Sequence, residues 1–68
     1  MTNEQWKALK RVRLATLDYT VAVNAKAPWG ELEDLERAQA AAVWTALQAG
    51  CAFDEVVAVE QAGAEVAA

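Results

Sequence analysis

The spacing of apolar residues along the chain predicts three helical segments. Hydrophobic side chains recur at intervals of three and four, which is the pattern of helices with one buried face. The predicted helices cover residues 4–25, 30–49 and 54–62. Pro28 and Gly50 separate them, because proline lacks an amide donor and glycine often follows the last helical turn. We therefore expect one all-α domain, an antiparallel helical hairpin plus a shorter third helix packed across it.

Two stripes run along the first predicted helix. One consists of Trp6, Leu9, Arg13, Leu17, Thr20 and Val21, with Leu14 nearby, and the other of Val12, Tyr19 and Val23. Their combined width predicts contact with more than one neighbour. Thr2 or Asn3 is positioned to cap the helix. A strand is the alternative interpretation over residues 12–23, because β-branched side chains are frequent there and partly alternate.

The later segments differ in how strongly they favour helix. The second is predicted to turn inward Leu32, Leu35, Gln39, Val43, Ala46 and Leu47. Trp44 lies more than a quarter turn off that face. The third starts at Asp54 as N-cap, but its valines leave a strand as the alternative over residues 56–59. The tail, residues 63–68, has little large apolar surface and is predicted to fray.

The segment NAKAPWGELEDLE, residues 24–36, joins the first two helices. Pro28 biases Ala27 away from helical geometry, so the first helix should end before it. We interpret the acidic residues that follow as the start of the second helix, where the helix dipole favours negative charge, and not as a metal site. Trp29 is predicted to close this end of the hairpin over Leu32.

Size and composition indicate a protein that needs a partner. A chain of 68 residues buries too little surface to be more than marginally stable, and its single cysteine excludes an internal disulfide. Seventeen residues are alanine, which adds little burial, whereas three are tryptophan. We therefore predict self-association or membership of a larger assembly. The expected partner-facing residues are Trp6, Trp44, Tyr19 and Val23.

The residue inventory excludes several kinds of catalytic and metal site. With no histidine and no serine, neither a Ser/His/Asp nor a Cys/His arrangement can form, and an ordinary structural zinc site lacks ligands. General acid–base catalysis by carboxylates needs a water-excluding pocket, for which so small a helical unit has little room. The prediction is a protein that is not an enzyme and binds no cofactor or metal. Cys51 is interpreted as a buried packing residue, with an interchain disulfide or a lipid attachment site as the alternatives.

Charge is divided unevenly along the chain. Residues 1–26 carry five cations against two acids, a net +3, and residues 27–68 carry one cation against eight acids, a net −7. This polarity could pair the first two helices within a chain or pair two chains head to tail. The basic residues of the first helix are also candidate phosphate contacts, although the overall charge of −4 makes nucleic acid the less favoured partner. They are Lys7, Lys10, Arg11 and Arg13.

Residues 42–61, AVWTALQAGCAFDEVVAVEQ, resemble the helix-turn-helix signature of DNA-binding regulators. The resemblance consists of Ala46, Gly50, Val56 and Val59. It implies two helices joined by a tight turn, with the second helix reading DNA. That second helix contains acidic residues and no Lys or Arg, so its carboxylates would face phosphates. The resemblance therefore supports the turn at Gly50 more than DNA recognition by the third helix.

The function expected from the sequence is a non-enzymatic protein-interaction or assembly module, such as a small accessory or structural subunit. One alternative is a small helix-turn-helix-like regulator, and another is an acidic inhibitor or adaptor that binds a basic surface. No stretch approaches the roughly 20 apolar residues of a membrane span, and residues 1–13 lack the apolar stretch of a signal peptide. We expect a cytoplasmic protein with no membrane partner. Its alanine and valine excess resembles that of small proteins from GC-rich bacteria or their phages.

Overall fold

The computed structural model of the protein describes residues 1–67, and within that range it is entirely helical apart from turns and ends. The three helices are α1 (Asn3–Asn24), α2 (Trp29–Gln48) and α3 (Phe53–Ala67). This confirms the predicted all-α unit. Residues 12–23 and 56–59 are both helical, so the strand alternative is wrong in both places.

The start of α1 is held by a capping box. The Thr2 hydroxyl accepts a hydrogen bond from the Gln5 amide at 3.1 Å, and the Gln5 side chain accepts one from the Thr2 amide at 3.0 Å. These bonds satisfy amide groups that have no partner within the helix. Of the two predicted caps, Thr2 is therefore the one used.

The third helix differs from prediction at both ends. Asp54 lies inside the first turn instead of capping it. The helix also continues through the predicted frayed tail to Ala67, because the tail packs against α1. Gly63 is buried there, and the Asn24 side-chain amide donates to the Ala67 carbonyl at 3.0 Å. The structure thus describes residues 63–67 as helical, where fraying was predicted, and Ala68 lies outside the described residues.

Both turns between helices end the preceding helix with a left-handed residue. Gly50 (φ 94°) follows α2 as predicted, and Lys26 (φ 58°) follows α1. In each turn the next amide bonds back to a carbonyl five residues earlier, Cys51 to Ala46 at 3.1 Å and Ala27 to Ala22 at 3.0 Å. This geometry satisfies carbonyls at the helix end. Lysine has a steric cost of about 1 kcal/mol at such a position, whereas glycine does not.

The first helix is the central element of the bundle. Gln5 donates to the Ala49 carbonyl at 3.1 Å, so the N-terminal end of α1 lies beside the C-terminal end of α2. The two helices are therefore antiparallel. The α3 chain runs alongside α1 in the same direction, since Cys51 lies beside Gln5 and Ala67 beside Asn24. The third helix therefore packs along α1 and touches α2 only lightly, instead of packing across both.

The core is small because alanine forms much of it. Val12 and Val56 have no exposed surface, and Leu9 is 5% exposed. The other core members are Ala8, Ala42, Ala46 and Cys51. Small side chains at these positions let the helix backbones approach one another closely, so the same contacts leave little space for large ones.

The inward face predicted for α1 is only partly correct. Leu9 is buried, but Trp6 is 63% exposed and Val21 is 51% exposed. The side that packs against α2 and α3 carries Ala8, Leu9, Val12, Thr16 and Ala22. At 100° per residue this side is centred on the second predicted stripe, at Val12, and Leu9 lies at the edge of the first. Spacing by residue size therefore found Leu9 and Val12 but missed Ala8, Thr16 and Ala22, because close helix contacts favour small side chains.

Helices α1 and α3 approach each other closely at Gly63. A Cβ atom on this residue would lie 2.6 Å from the Arg13 carbonyl oxygen and 3.2 Å from the Thr16 Cβ. The absence of a side chain at Gly63 therefore sets how closely α3 lies on α1.

We predict that Gly63→Ala lowers the free energy of unfolding by about 1–3 kcal/mol, because the new methyl group must push α3 away from α1. Gly30→Ala is the matched control. Gly30 lies on α2, and a Cβ atom added there would meet nothing within 4 Å, so alanine should raise stability by up to about 1 kcal/mol. Urea unfolding followed by circular dichroism measures both. Equal effects of the two substitutions would contradict the tight contact at Gly63.

Candidate interaction surface

All three tryptophans lie on the outside of the bundle. Trp6 is 63% exposed, Trp44 is 64% exposed and Trp29 is 73% exposed. The prediction that Trp29 closes the hairpin over Leu32 is therefore wrong. Pro28 and the first turn of α2 carry the indole away from α1, so the end of the hairpin is closed by the backbone turn.

The four residues predicted to face a partner do not form one cluster. Trp6, Trp44 and Val23 are exposed, whereas Tyr19 is half-buried. Trp6 and Val23 lie near opposite ends of α1, about 25 Å apart along its axis. Trp44 lies on another helix. They are thus parts of more than one surface.

One exposed face of α1 combines apolar and basic side chains. We define the α1 outer face as Trp6, Lys10, Arg13, Leu17 and Val21. At 100° per residue these positions fall within about a quarter turn of one another. All are exposed except Leu17, which is half-buried. Leu14, 44% exposed, lies at the edge of the face and widens its apolar part.

A groove of about 390 Å³ lies where this face meets α3. Leu9 and Val59 contribute to its apolar lining together with Trp6. The remaining lining residues are Lys7, Lys10 and Arg13. Three of the four candidate phosphate contacts therefore gather at one groove. Arg11 does not line this groove; together with Lys7 it borders the α1–α2 contact beside Glu4 and Thr45.

The charge polarity of the chain is not neutralised by pairing between helices. Within residues 1–67 the ion pairs join Arg37 to Glu33 at 3.6 Å and to Asp34 at 3.3 Å, and both lie within α2. The cations of α1 have no carboxylate partner in that range. Charge pairing of α1 with α2 inside one chain, one of the two arrangements that the sequence allowed, is therefore not seen within residues 1–67.

The second helix has an exposed face of the opposite charge. We define the α2 outer face as Trp29, Glu33, Glu36, Ala40 and Trp44. Glu33 is half-buried and the other four are exposed. Sequence reasoning assigned the acids to the helix start and treated Trp44 as a single partner-facing residue, so it missed this face. The signal that could have revealed this face is the spacing of its members, at intervals of four, three, four and four residues, because such intervals place side chains on one side of a helix.

The turn at Gly50 does not produce the helix crossing of a helix-turn-helix motif. The Gln39 amide donates to the Glu60 carboxylate at 3.0 Å, although each residue lies about 15 Å along its helix from the turn. A crossing of 90–120°, as in that motif, would separate them by more than about 20 Å. The two helices therefore run side by side, and α3 does not project as a recognition helix.

A polar network links all three helices at this level. The buried hydroxyl of Thr16 donates to the Val12 carbonyl at 2.9 Å and accepts from the Gln39 amide at 3.0 Å. The same amide nitrogen donates to Glu60. Each of these polar groups therefore has a partner, and the network fixes the register of the helices.

Within residues 1–67 no set of three Cys, Asp or Glu side chains is placed to hold a metal ion.

Cys51 is a buried free thiol directly after the second turn. Its sulfur lies 3.8 Å from the Gln5 carbonyl oxygen. Burial, and to a smaller extent the negative charge of Glu55, raise the pKa of the Cys51 thiol above its ordinary value of 9.0. A thiol held in the protonated form is a poor nucleophile, so the site favours packing over reactivity.

None of the three helices described in residues 1–67 combines the length and the apolar character that a membrane span requires.

No family model matches the chain, and no curated protein or solved structure shows significant similarity to it. Its function must therefore be inferred from the surfaces described above.

We predict that the Cys51 thiol lowers stability at alkaline pH. Because its pKa is raised in the folded protein, the unfolded chain loses the thiol proton first as the pH approaches 9.0. The unfolded state then binds fewer protons, so the free energy of unfolding must fall. Cys51→Ala should remove this fall, while the difference in stability between the two proteins stays constant from about pH 6 to pH 8. Urea unfolding across this pH range tests it, and parallel curves up to pH 10, about one unit above the thiol's ordinary pKa, would contradict it.

Proposed function

We propose that this protein is a non-enzymatic assembly module that acts by self-association. The supporting observation is that its largest apolar side chains lie on the surface while its core is made mainly of small ones. The exposed large apolar residues are Met1, Trp6, Leu14, Val21, Val23, Trp29, Trp44, Phe53 and Val66. By contrast, the largest fully buried side chains are the two valines, Val12 and Val56. Surfaces of this kind commonly mark interfaces.

Energetics support the same proposal. A chain of this size buries only about 60% of its unfolded surface and is marginally stable alone. Covering an exposed large apolar side chain contributes about 2 kcal/mol, and two such side chains, Trp6 and Val21, lie on the α1 outer face. Tryptophan is also enriched among the residues that dominate binding energy at interfaces. Association would therefore stabilise the fold as well as connect the copies.

A DNA-binding regulator is the second candidate, and one observation favours it. Lys7, Lys10 and Arg13 converge on one groove with no carboxylate paired to them in the described residues. The acidic third helix and its shallow crossing with α2 count against it. Duplex binding that weakens strongly between about 50 and 200 mM salt would favour this candidate over the assembly module.

We predict that the apparent mass in sedimentation velocity rises with protein concentration, and that Val21→Glu weakens this association by at least about tenfold. A charge at Val21 would be buried against the partner without compensation. Val66→Glu is the matched control, because Val66 is also exposed but lies on α3, outside the α1 outer face. It should associate like the unmodified protein.

Sedimentation over a range of protein concentrations decides whether the protein self-associates. A protein that stays monomeric over about a hundredfold range of concentration would refute self-association. Equal weakening by the two glutamate substitutions would show that the association is not specific to α1. Circular dichroism should show unchanged helix content in both variants, since each replaces an exposed side chain.

A further inference from the structure

The outer faces of α1 and α2 have the same spacing and opposite charge. Members of the α1 outer face occupy positions 6, 10, 13, 17 and 21, and those of the α2 outer face occupy positions 29, 33, 36, 40 and 44. Both sets follow intervals of four, three, four and four residues, so both cover four turns and about 22 Å of helix. Each begins with tryptophan and continues with two like charges. The charges are basic on α1 and acidic on α2.

These two faces do not meet within one chain. The two helices pack together through other residues, such as Ala8 on α1 and Ala42 and Ala46 on α2. Four of the five members of each outer face are exposed, and Leu17 and Glu33 are half-buried. A pair of complementary faces on one chain that cannot reach each other is suited to contact between two copies.

We propose that the α1 outer face of one copy packs, in parallel, on the α2 outer face of a second copy. This rests on the self-association proposed above and names its contact surfaces. The charged pairs would be Lys10 with Glu33 and Arg13 with Glu36. The apolar pairs would be Trp6 with Trp29, Leu17 with Ala40 and Val21 with Trp44.

The apolar pairs fit the packing of two helices. Ala40 is exposed and small, so it leaves room for Leu17 to enter the opposite helix surface as a knob enters a hole. At one end, two indoles face each other, and offset stacking of aromatic rings is favourable. At the other end, Trp44 covers Val21. The charged pairs lie between these apolar contacts, where they fix the register.

The charges decide between parallel and antiparallel docking. In the antiparallel arrangement Arg13 would still face Glu36, but Lys10 would lie opposite Ala40. Leu17 would then lie opposite Glu33, which places an acid against an apolar side chain. The parallel arrangement matches both charges, and it also brings the basic half of α1 beside the acidic half of α2.

Neighbouring charges are compatible with this contact. Arg37 borders the α2 outer face, but it is held by Glu33 and Asp34 on its own helix. Lys7 borders the α1 outer face on the same half as Lys10, so it adds to the attraction for the acids. Asp18 is exposed near the apolar half of α1, where no acid of the partner lies opposite.

The contact is heterologous, because it joins different surfaces of the two copies. A heterologous contact generates a ring if the rotation between copies closes and a chain of copies if it does not. Each copy would then use its α1 outer face toward one neighbour and its α2 outer face toward the next.

Charge exchange between two variants tests the contact directly. In Lys10→Glu/Arg13→Glu both outer faces are acidic, and in Glu33→Lys/Glu36→Lys both are basic. Each variant alone should therefore lose self-association by at least about tenfold in dissociation constant. An equimolar mixture should recover association, since every contact then joins an acidic face to a basic one. The four substitutions combined in one chain should also restore it.

The control changes net charge equally but leaves the outer faces intact. Asp54→Lys/Glu65→Lys replaces two exposed acids on α3 that lie outside both faces, so its net charge equals that of Glu33→Lys/Glu36→Lys. It should associate as the unmodified protein does at physiological ionic strength. Sedimentation velocity on each protein and on the mixture is the measurement, with circular dichroism to show that all variants keep the fold.

The outcomes separate this inference from the proposed function. If the unmodified protein associates and the charge variants associate equally well, self-association stands and the proposed contact is wrong. If both variants lose association but the mixture does not recover it, the pairing of α1 with α2 is also wrong. A monomeric unmodified protein would refute both proposals. Recovery in the mixture and in the combined variant would establish the contact.

Discussion

The close approach of α3 to α1 at Gly63 is the contact on which the arrangement of the bundle depends. A side chain there would collide with the Arg13 carbonyl oxygen, so the third helix can lie on the first only with glycine at this point. The alanines of the core act in the same way along the contact of α1 with α2. Backbones that approach this closely leave space for two fully buried valines and for Leu9, which is 5% exposed, and for no larger side chain in the core. The core is therefore compact but small, and α1 is the element that both other helices share.

The outward position of the large apolar residues follows from that packing. Since the closest helix contacts are made by small side chains, the three tryptophans, Leu14 and several valines lie exposed on the other sides of the helices. On α1 and α2 these sides also carry most of the segregated charge, because neither helix uses its charges to pair with the other. The result is two amphipathic outer faces of opposite sign on one chain. Association between copies is the functional interpretation that accounts for both the exposure and the charge.

Parts of the candidate surface were accessible from the sequence. Trp6 and Trp44 were expected to face a partner because the chain is too short to enclose three indoles, and the basic residues of α1 were recognised from their density. The matched faces were not found, because their members are defined by which side of each helix packs inward. The acids after Pro28 have a sufficient local explanation as the start of a helix. Only the exposure of Trp29, Glu36 and Ala40 along one line shows that they also belong to a surface.

Local interactions determined the elements, and for this reason the sequence alone determined the number of helices, their type and most of their boundaries. The capping of α1, the proline before α2 and the glycine after it act within a few residues of the chain. The path of α3 along α1, its extension to Ala67 and the inward side of α1 depend instead on contacts between residues far apart in sequence. In an alanine-rich chain, hydrophobic size is a poor guide to those contacts. Which helix face is buried depends on how closely the backbones can approach, and only the tertiary structure decides that.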